Sequence, residues 1–527
     1  MNNILEVDKL KERLDIQQKR IEELEALVKY YEELYRLHQH KKFASSSERT
    51  HPGQLPLFDE AENEADKCKA EPAVEEITYT RRRGRKDNKE DLSALPVETV
   101  KHSLPEEEQV CPECDSKLHV MGHDTRRELE IIPAQVQVIE HVSEVYACRN
   151  CEKTATSVPI VKAPLPEPVI KGSAASPSSV AHIIVQKYIN AVPLYRQEQE
   201  FLMNGISLSR QTMANWLLRS SEDWLEPLYV LMKSQLTLEE VLHADETTLQ
   251  VLKEPGKGSR TESYMWLYRT SGFSSVPIVL YEYQPTRSSA HPKAFLEGFK
   301  GYLHTDGYAG YHVLAPEITV VGCWAHARRK FDEAVKGAPP DVRANLPSQK
   351  GLDLCNELFR LEREYENMTP EERQAERLKR SKPVSDTLFE WAATLGVLAK
   401  SLLGKAIHYL LSQRPYLENV FEDGRLELSN NRAERSIKPF VIGRKNWLFS
   451  ATARGATASS VIYSVIETAK ENGLKPFEYL KHIFKTMPNI RAEKYESLLP
   501  WSKSLPDQCR VKPNSSQEQE TNTSSSI

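Results

Sequence analysis

Only eight cysteines are spread over 527 residues, too few and too uneven for a disulfide framework, which excludes the small secreted class held together by such bridges. Long apolar runs are missing as well. No stretch approaches the roughly 18 apolar residues that a membrane-spanning helix needs. The opening MNNILEVDKLKERLD alternates charge with single apolar residues where a secretory signal would carry a continuous apolar block, so the cytoplasm is the expected compartment. Nor is positive charge in excess: the formal net charge is −5, which for the chain as a whole argues against phosphate binding. That average hides a division. Acidic residues gather in the first hundred positions, whereas Arg and Lys cluster in TRRRGRK, WAHARRKF and IKPFVIGRKNW, so local surfaces can still meet phosphate. With 39% hydrophobic and 28% charged residues, the composition is that of a globular protein, and the length requires several domains.

From Val7, apolar steps of three and four run through Leu10, Leu14, Ile21, Leu24, Val28, Tyr31 and Tyr35, broken only by Gln17. Residues 1–44 therefore read as a coiled coil of about four heptads that joins two or more copies; the alternative is an amphipathic helix packed on its own chain. Residues 45–100, rich in Glu, Ser, Pro and Ala, read as linker. Within them lies RRRGRK, whose Arg82, Arg83 and Arg85 suit a narrow minor groove or else form a solvated basic run. Next, Cys111–Cys114 and Cys148–Cys151 form two Cys-x-x-Cys pairs in a span of 105–160. The alternating RRELEIIPAQVQVIEHVSEVYAC between them predicts paired strands. Four thiolates on two tight turns make the closed shell of one structural Zn²⁺, a zinc ribbon with no open position for catalysis. Past a Pro-rich joint, residues 174–226 predict three helices: 176–191, 193–204 and 209 to about 223. Gly205 turns the chain between the last two, and Ser209 stands at an N-cap position. This is a helix-turn-helix layout with Arg210, Gln211 and Asn215 facing DNA, or an ordinary three-helix packing unit.

Residues 236–470 carry the chemistry. VLHADETTLQVL, SYMWLYRTS and VPIVLYEYQP read as three strands, HPKAFLEGF as a helix, and GYLHTDGYAGYH and TVVGCWAHA as two more strands. That order is the order of the ribonuclease H-like α/β fold, with Asp245 on its first strand and Asp306 just past its fourth. Phosphodiester cleavage and strand transfer use two hard cations, such as Mg²⁺ or Mn²⁺, about 4 Å apart, held by carboxylates at strand ends. A third carboxylate is Glu434, in a helical register that opens near Asn430 and Asn431. Arg328, Arg329 and Lys330 read as phosphate contacts beside this centre, with Arg444 and Lys445 as further basic contacts. Cys323 and His326 admit a plain reading as a buried thiol and a core histidine.

HADET, HTDGYAGY, GCWAHARRKF and NNRAERSIKPFVIGRKNWLF, together with ATASSVIYSVIETAKENGLKPFEYL, resemble the long transposase of the insertion-sequence-66 family over nearly the whole chain. The resemblance implies an Asp-Asp-Glu transposase with Asp245, Asp306 and Glu434 as its triad. It makes Cys323 and His326 a Cys-x-x-His feature of auxiliary role, and it implies small accessory proteins of the same element. Ser429 stands where members often carry Asp, which leaves the triad position intact. The long interval from Asp306 to Glu434 implies a helical insertion at about 330–403. Residues 471–500 then form a C-terminal helical segment, and 503–527 a disordered tail.

The expected architecture is therefore multidomain α+β: a coiled coil, a four-cysteine zinc ribbon, a helix-turn-helix and a ribonuclease H-like catalytic domain. The expected activity is metal-dependent cleavage and transfer of DNA strands at transposon ends. Two other readings use the same residues: a ribonuclease H-like nuclease or resolvase, and a non-catalytic zinc-ribbon regulator. A regulator has no use for three carboxylates on strand, strand and helix. A nuclease has no use for so many front modules.

Overall fold

The computed structural model describes residues 2–43, 136–147, 160–256, 258 and 261–511. Two units divide the chain, one of residues 1–46 with 166–511 and the other of residues 47–165 with 512–527. Cys111, Cys114, Cys148 and Cys151, and Arg82, Arg83 and Arg85, lie outside the described residues. In the second unit the described residues form one short antiparallel pair, β1 (Val145–Ala147) with β2 (Ile160–Lys162). The alternation between the cysteine pairs predicts strands over a longer stretch, but residues 136–144 carry none, and β1 pairs with a segment past Cys151. Val136, Val138, Ile139, Val142 and Val145 are all exposed. Without a buried face the alternation selects no register.

The first unit begins with α1 (Asn2–Phe43), one uninterrupted helix. Its Tyr30, Leu34 and Leu37 pack on Ala334, Leu402 and Leu403. The heptad positions Leu14, Ile21, Leu24, Val28, Tyr31 and Tyr35 stay exposed. The face that carries Tyr30, Leu34 and Leu37 docks on the chain, as the amphipathic-helix alternative expects.

Next come α2 (Pro177–Tyr188), α3 (Leu194–Met203) and α4 (Arg210–Ser220). Ser176 caps α2 by accepting from the Ser179 N–H, and Ser209 caps α4 by accepting from the Thr212 N–H, as small hydroxyl side chains do at these positions. Gly205 makes the α3–α4 turn at φ +76°, a conformation that favours glycine. The third helix does not end near Asp223. It passes through a π turn at Ser221–Leu225 into α5 (Glu226–Leu236). Pro227 follows the π turn, and Pro383 follows a second one at Arg377–Ser381. A proline inside a helix has no N–H to give and crowds the preceding turn, which a widened turn relieves.

The sheet has the order β5-β4-β3-β6-β7. The long β3 (Val241–Lys253) pairs antiparallel with β4 (Glu262–Thr270), and β4 with β5 (Val279–Gln284). On its other side β3 runs parallel to β6 (Gly301–His304), and β6 to β7 (Ile318–Val321). The short α6 (Ala290–Phe295) makes the crossover from β5 to β6.

After β7 the chain forms α7 (Trp324–Lys336), α8 (Pro347–Glu364), α9 (Pro370–Glu376), α10 (Lys382–Thr394) and α11 (Leu402–Leu417). The helical layer therefore starts before residue 330 and continues past 403. It has its own core, in which Trp324, Phe331, Leu358, Phe389 and Leu410 meet. The chain returns through α12 (Asn431–Trp447), pairs a short β8 (Ser450–Thr452) with the end of β3, and closes with α13 (Ala453–Glu471) and α14 (Pro476–Thr486).

α13 is buried along most of its length although it is rich in Ser and Thr. β5 is the outer strand, and the N–H groups of Tyr281 and Val279 donate to Ser464 Oγ (2.7 Å) and Thr468 Oγ1 (3.0 Å). Hydroxyls one helical turn apart thus satisfy an edge that would otherwise invite another strand. The same core takes in α2, α4 and α5, so the helix-turn-helix is built into the body of this unit. Residues 503–527 do not all form a loose tail. Leu505 and Cys509 are buried in the core, and the Lys475 N–H donates to the Cys509 carbonyl at 2.7 Å; residues 512–527 lie outside the described residues. Among the described residues no helix is long and apolar enough to cross a membrane.

Candidate active site

The site grows out of a repeated tripeptide, His243-Ala244-Asp245 on β3 and His304-Thr305-Asp306 at the end of β6. The parallel register places His243 opposite His304. Side chains two residues apart share a face of a strand, so Asp245 follows His243 on the same side of β3, and Asp306 comes two residues past the end of β6. The two imidazoles stack with centroids 4.4 Å apart and planes 13° from parallel, both fully buried. Burial pushes His243 down to about 3 and holds His304 well below the ordinary imidazole range. Burial thus disfavours the charged form of both rings.

Asp245 Oδ1 accepts the Glu246 N–H at 2.8 Å. Removal from water, and then the charges of Glu246 and Asp306, hold its carboxyl well above the usual carboxylate range; Glu434 adds to the shift and the Glu246 N–H opposes it. Asp306 Oδ1 accepts the Tyr308 N–H at 2.9 Å, and the Asp306 carbonyl accepts the Tyr409 hydroxyl at 3.0 Å. Between Asp306 and Tyr308, Gly307 stands at φ +96°, and a Cβ there would meet Gln413 Oε1 at 3.0 Å and Tyr409 Oη at 3.1 Å. The turn that presents Asp306 therefore needs glycine for conformation and for space.

Glu434 sits in the first turn of α12. Its Oε1 lies 3.8 Å from His326 Nδ1, and its Oε2 lies 3.6 Å from Arg329. The nearby acids are otherwise engaged. Glu427 binds Arg432 at 2.6 Å, Glu422 accepts from the Tyr302 hydroxyl, and Asp423 binds Arg425 at 2.7 Å. Glu434 is the acid from this stretch that raises Asp245.

The position of α12 is set by Asn430, which is fully buried. Its Nδ2 donates to the Ala244 carbonyl at 2.8 Å, its Oδ1 lies 3.0 Å from His243 Nδ1, and its N–H donates to Cys323 Sγ at 3.2 Å. One amide thus ties the strand of Asp245 to the helix of Glu434. The helical layer holds the same segment from outside: buried Arg377 donates to the carbonyls of Leu426 (2.7 Å) and Asp423 (3.2 Å). His243, His304, Asn430 and Glu246 are not singled out by the sequence reading, although the repeated His-x-Asp is a readable signal. Glu246 accepts the Tyr311 hydroxyl at 2.7 Å and Arg287 Nε at 2.8 Å. Burial raises its pKa, and Asp306 raises it further against the pull of Tyr311 and Arg287.

The basic residues fall in different places. Arg329 is exposed beside Glu434, and Lys330 lies over the Tyr409 ring at 4.9 Å. Arg328 turns away to Asn356 at 2.6 Å. Arg444 bonds the hydroxyls of Thr247 (3.3 Å) and Thr248 (3.2 Å) on β3, next to exposed Lys445. Arg210 and Gln211 are exposed at the start of α4, with the Arg210 guanidinium 5.8 Å from the Tyr195 ring. Four carboxylates, Asp245, Glu246, Asp306 and Glu434, thus share one field. That surplus of negative charge in a partly dehydrated place suits divalent cations with oxygen ligands.

Carboxylates within β3, just past the parallel β6 and at the start of α12 stand beside a helical layer and a helix-turn-helix-like set of helices, and the comparisons supply the class. The chain matches "Transposase IS66 family" over residues 172–458, "zinc-finger binding domain of transposase IS66" over 108–152, "IS66 C-terminal element" over 464–501 and "Transposase C of IS166 homeodomain" over 30–100. It belongs to the IS66 transposase family. Among its relatives are two proteins of Sinorhizobium fredii (strain NBRC 101917 / NGR234). The protein y4jD is 31% identical over 440 residues, 80% of this chain and 83% of that one. The protein y4qI is 33% identical over 402 residues, 73% and 72%.

Proposed function

We propose that this transposase cleaves and rejoins DNA strands at the ends of an insertion sequence, in the cytoplasm, with Asp245, Asp306 and Glu434 holding two Mg²⁺ or Mn²⁺ ions. The observation that carries the reading is the parallel register of His243 with His304, which brings Asp245 and Asp306 onto neighbouring strands, with Asn430 tying the start of the Glu434 helix to the strand of Asp245. The sheet order, with three antiparallel strands followed by two parallel ones, supports a ribonuclease H-like catalytic domain.

The bound cations supply charge stabilisation for the attacking and leaving oxygens of the phosphodiester. The chain's own residues hold the geometry. The register of β3 and β6 sets the spacing of Asp245 and Asp306, Asn430 fixes the Glu434 helix against β3, and the buried His243–His304 stack packs the two strands together. Arg329 and Lys330 on the first turns of α7 orient phosphate oxygens beside Glu434. Arg210 and Gln211 at the start of α4, with Arg82, Arg83 and Arg85 in the linker, bind DNA apart from the chemistry. The four Cys-x-x-Cys thiolates hold one structural Zn²⁺. The exposed seam of α1 joins two copies, so that paired transposon ends are held together, with accessory proteins of the same element as further partners.

The test is a cleavage and end-joining assay on paired transposon ends with Mg²⁺. Asp245→Ala and Asp306→Ala should each lower the rate at least about 10³-fold, because a lost ligand removes preorganised charge stabilisation. DNA affinity should be retained, since it comes mainly from Lys and Arg contacts to phosphate. Full activity in either variant would overturn the reading.

A further inference from the structure

We infer that Cys323 and His326, with Glu434 as a ligand shared with the carboxylate centre, form a further cation site of softer donors that holds one zinc-class divalent ion beside Asp245 and Asp306. Cys323 is the N-cap of α7, and His326 follows in its first turn, a spacing that puts thiol and imidazole on one side of the helix. Glu434 enters from the first turn of α12. One donor atom of each lies within 4.8 Å of the other two, a spread that fits three ligands around one ion at roughly 2.0–2.3 Å.

Two further facts point to an ion. His326 Nδ1 and Glu434 Oε1 face each other at 3.8 Å, beyond hydrogen-bond reach, and both atoms are buried with no hydrogen-bond partner. Buried polar atoms are almost always paired, and a shared cation would satisfy both. Arg329 approaches Oε2, the other carboxylate oxygen, and leaves Oε1 turned inward. The Asn430 N–H at 3.2 Å from Cys323 Sγ, with the N-terminus of α7, stabilises a thiolate there.

Thiolate and imidazole select a zinc-class ion over Mg²⁺, and three protein ligands leave a fourth position open. The inference takes from the proposed function only the part played by Glu434, and its test reads bound metal, not DNA.

Full-length protein, reduced and freed of metal, is titrated with Co²⁺, whose thiolate charge-transfer absorption reports sulfur ligation, and bound Zn²⁺ is counted by mass spectrometry of the digested protein. The wild type is expected to bind one equivalent more than Cys323→Ser or His326→Gln, with affinity at this site falling more than about tenfold in each variant. His326 is partly exposed, so its Gln variant keeps the fold, which near-ultraviolet circular dichroism checks. Asp245→Asn removes a ligand of the neighbouring pair only and should keep the equivalent. Equal metal content and equal cobalt spectra in wild type and His326→Gln would overturn the inference. So would loss of the same equivalent in Asp245→Asn, which would assign the ion to the carboxylate pair.

Discussion

Replacing Asp245 by Asn should make the metal-free protein more stable while abolishing its response to Mg²⁺. Asn keeps the volume and the Oδ1 that accepts the Glu246 N–H at 2.8 Å, so packing is little changed. What it removes is a charge held out of water next to Glu246, Asp306 and Glu434. Relief of a destabilised active-site group is worth about 1–2 kcal/mol, or about 2–4 °C in Tm for each kcal/mol. The wild type recovers more on loading, since Mg²⁺ at a hundredfold its Kd adds about 2.7 kcal/mol. The order of stabilities should therefore cross: variant above wild type without Mg²⁺, wild type above variant with it.

The pH dependence has a definite sign. A carboxyl whose folded pKa is raised binds its proton more tightly in the folded state, so its favourable contribution is complete only below the ordinary carboxylate value near 3.9 and is lost as pH rises through the raised folded value. The gap between Asn and Asp in metal-free protein should open over that rise and vanish in acid. Differential scanning calorimetry at a series of pH values, with and without Mg²⁺, measures all of this. An Asn variant less stable than wild type without metal, or an equal Mg²⁺ shift in both, would refute the reasoning.

Glu434→Gln should lose cleavage, whereas Glu427→Gln should keep it and lose about 1.5–3 kcal/mol of stability, the worth of a charged hydrogen bond, here to Arg432; activity assays and denaturant titration of both variants decide which acid completes the site. Asp substitutions at Val28 and Tyr31, both exposed on the heptad seam of α1, should halve the sedimenting mass without changing the fold, and an unchanged mass would remove the coiled-coil assembly. Cys111→Ser should lower bound zinc by one equivalent per chain, since a four-thiolate shell does not survive the loss of a ligand; undiminished zinc on elemental analysis would exclude the ribbon.

Much of this protein is written in local sequence. The N-cap Ser209, the Gly205 turn, the first three apolar strand segments and the helix that opens near Asn430 rest on interactions within a few residues, and the structure keeps each of them; of TVVGCWAHA only the first part is strand, and WAHA opens α7. Asp245, Asp306 and Glu434 could be named as candidates because one lies within a strand, one just past a strand and one in a first helical turn. What local sequence could not decide was which residues meet. The pairing of His243 with His304 is a parallel register between strands 61 positions apart in sequence number, fixed by the sheet as a whole. Asn430 reads only as the place where a helical register opens until the fold buries it against Ala244 and His243. Leu505 and Cys509 sit among polar residues that carry no period, and only the groove formed with α14 and the end of α13 draws them into the core. The same holds for α1, whose heptads are read from sequence alone, while the choice of Tyr30, Leu34 and Leu37 as the docked face belongs to the surface of α7 and α11. Periodicity states which side of an element is apolar; the partner that covers it is a property of the whole chain.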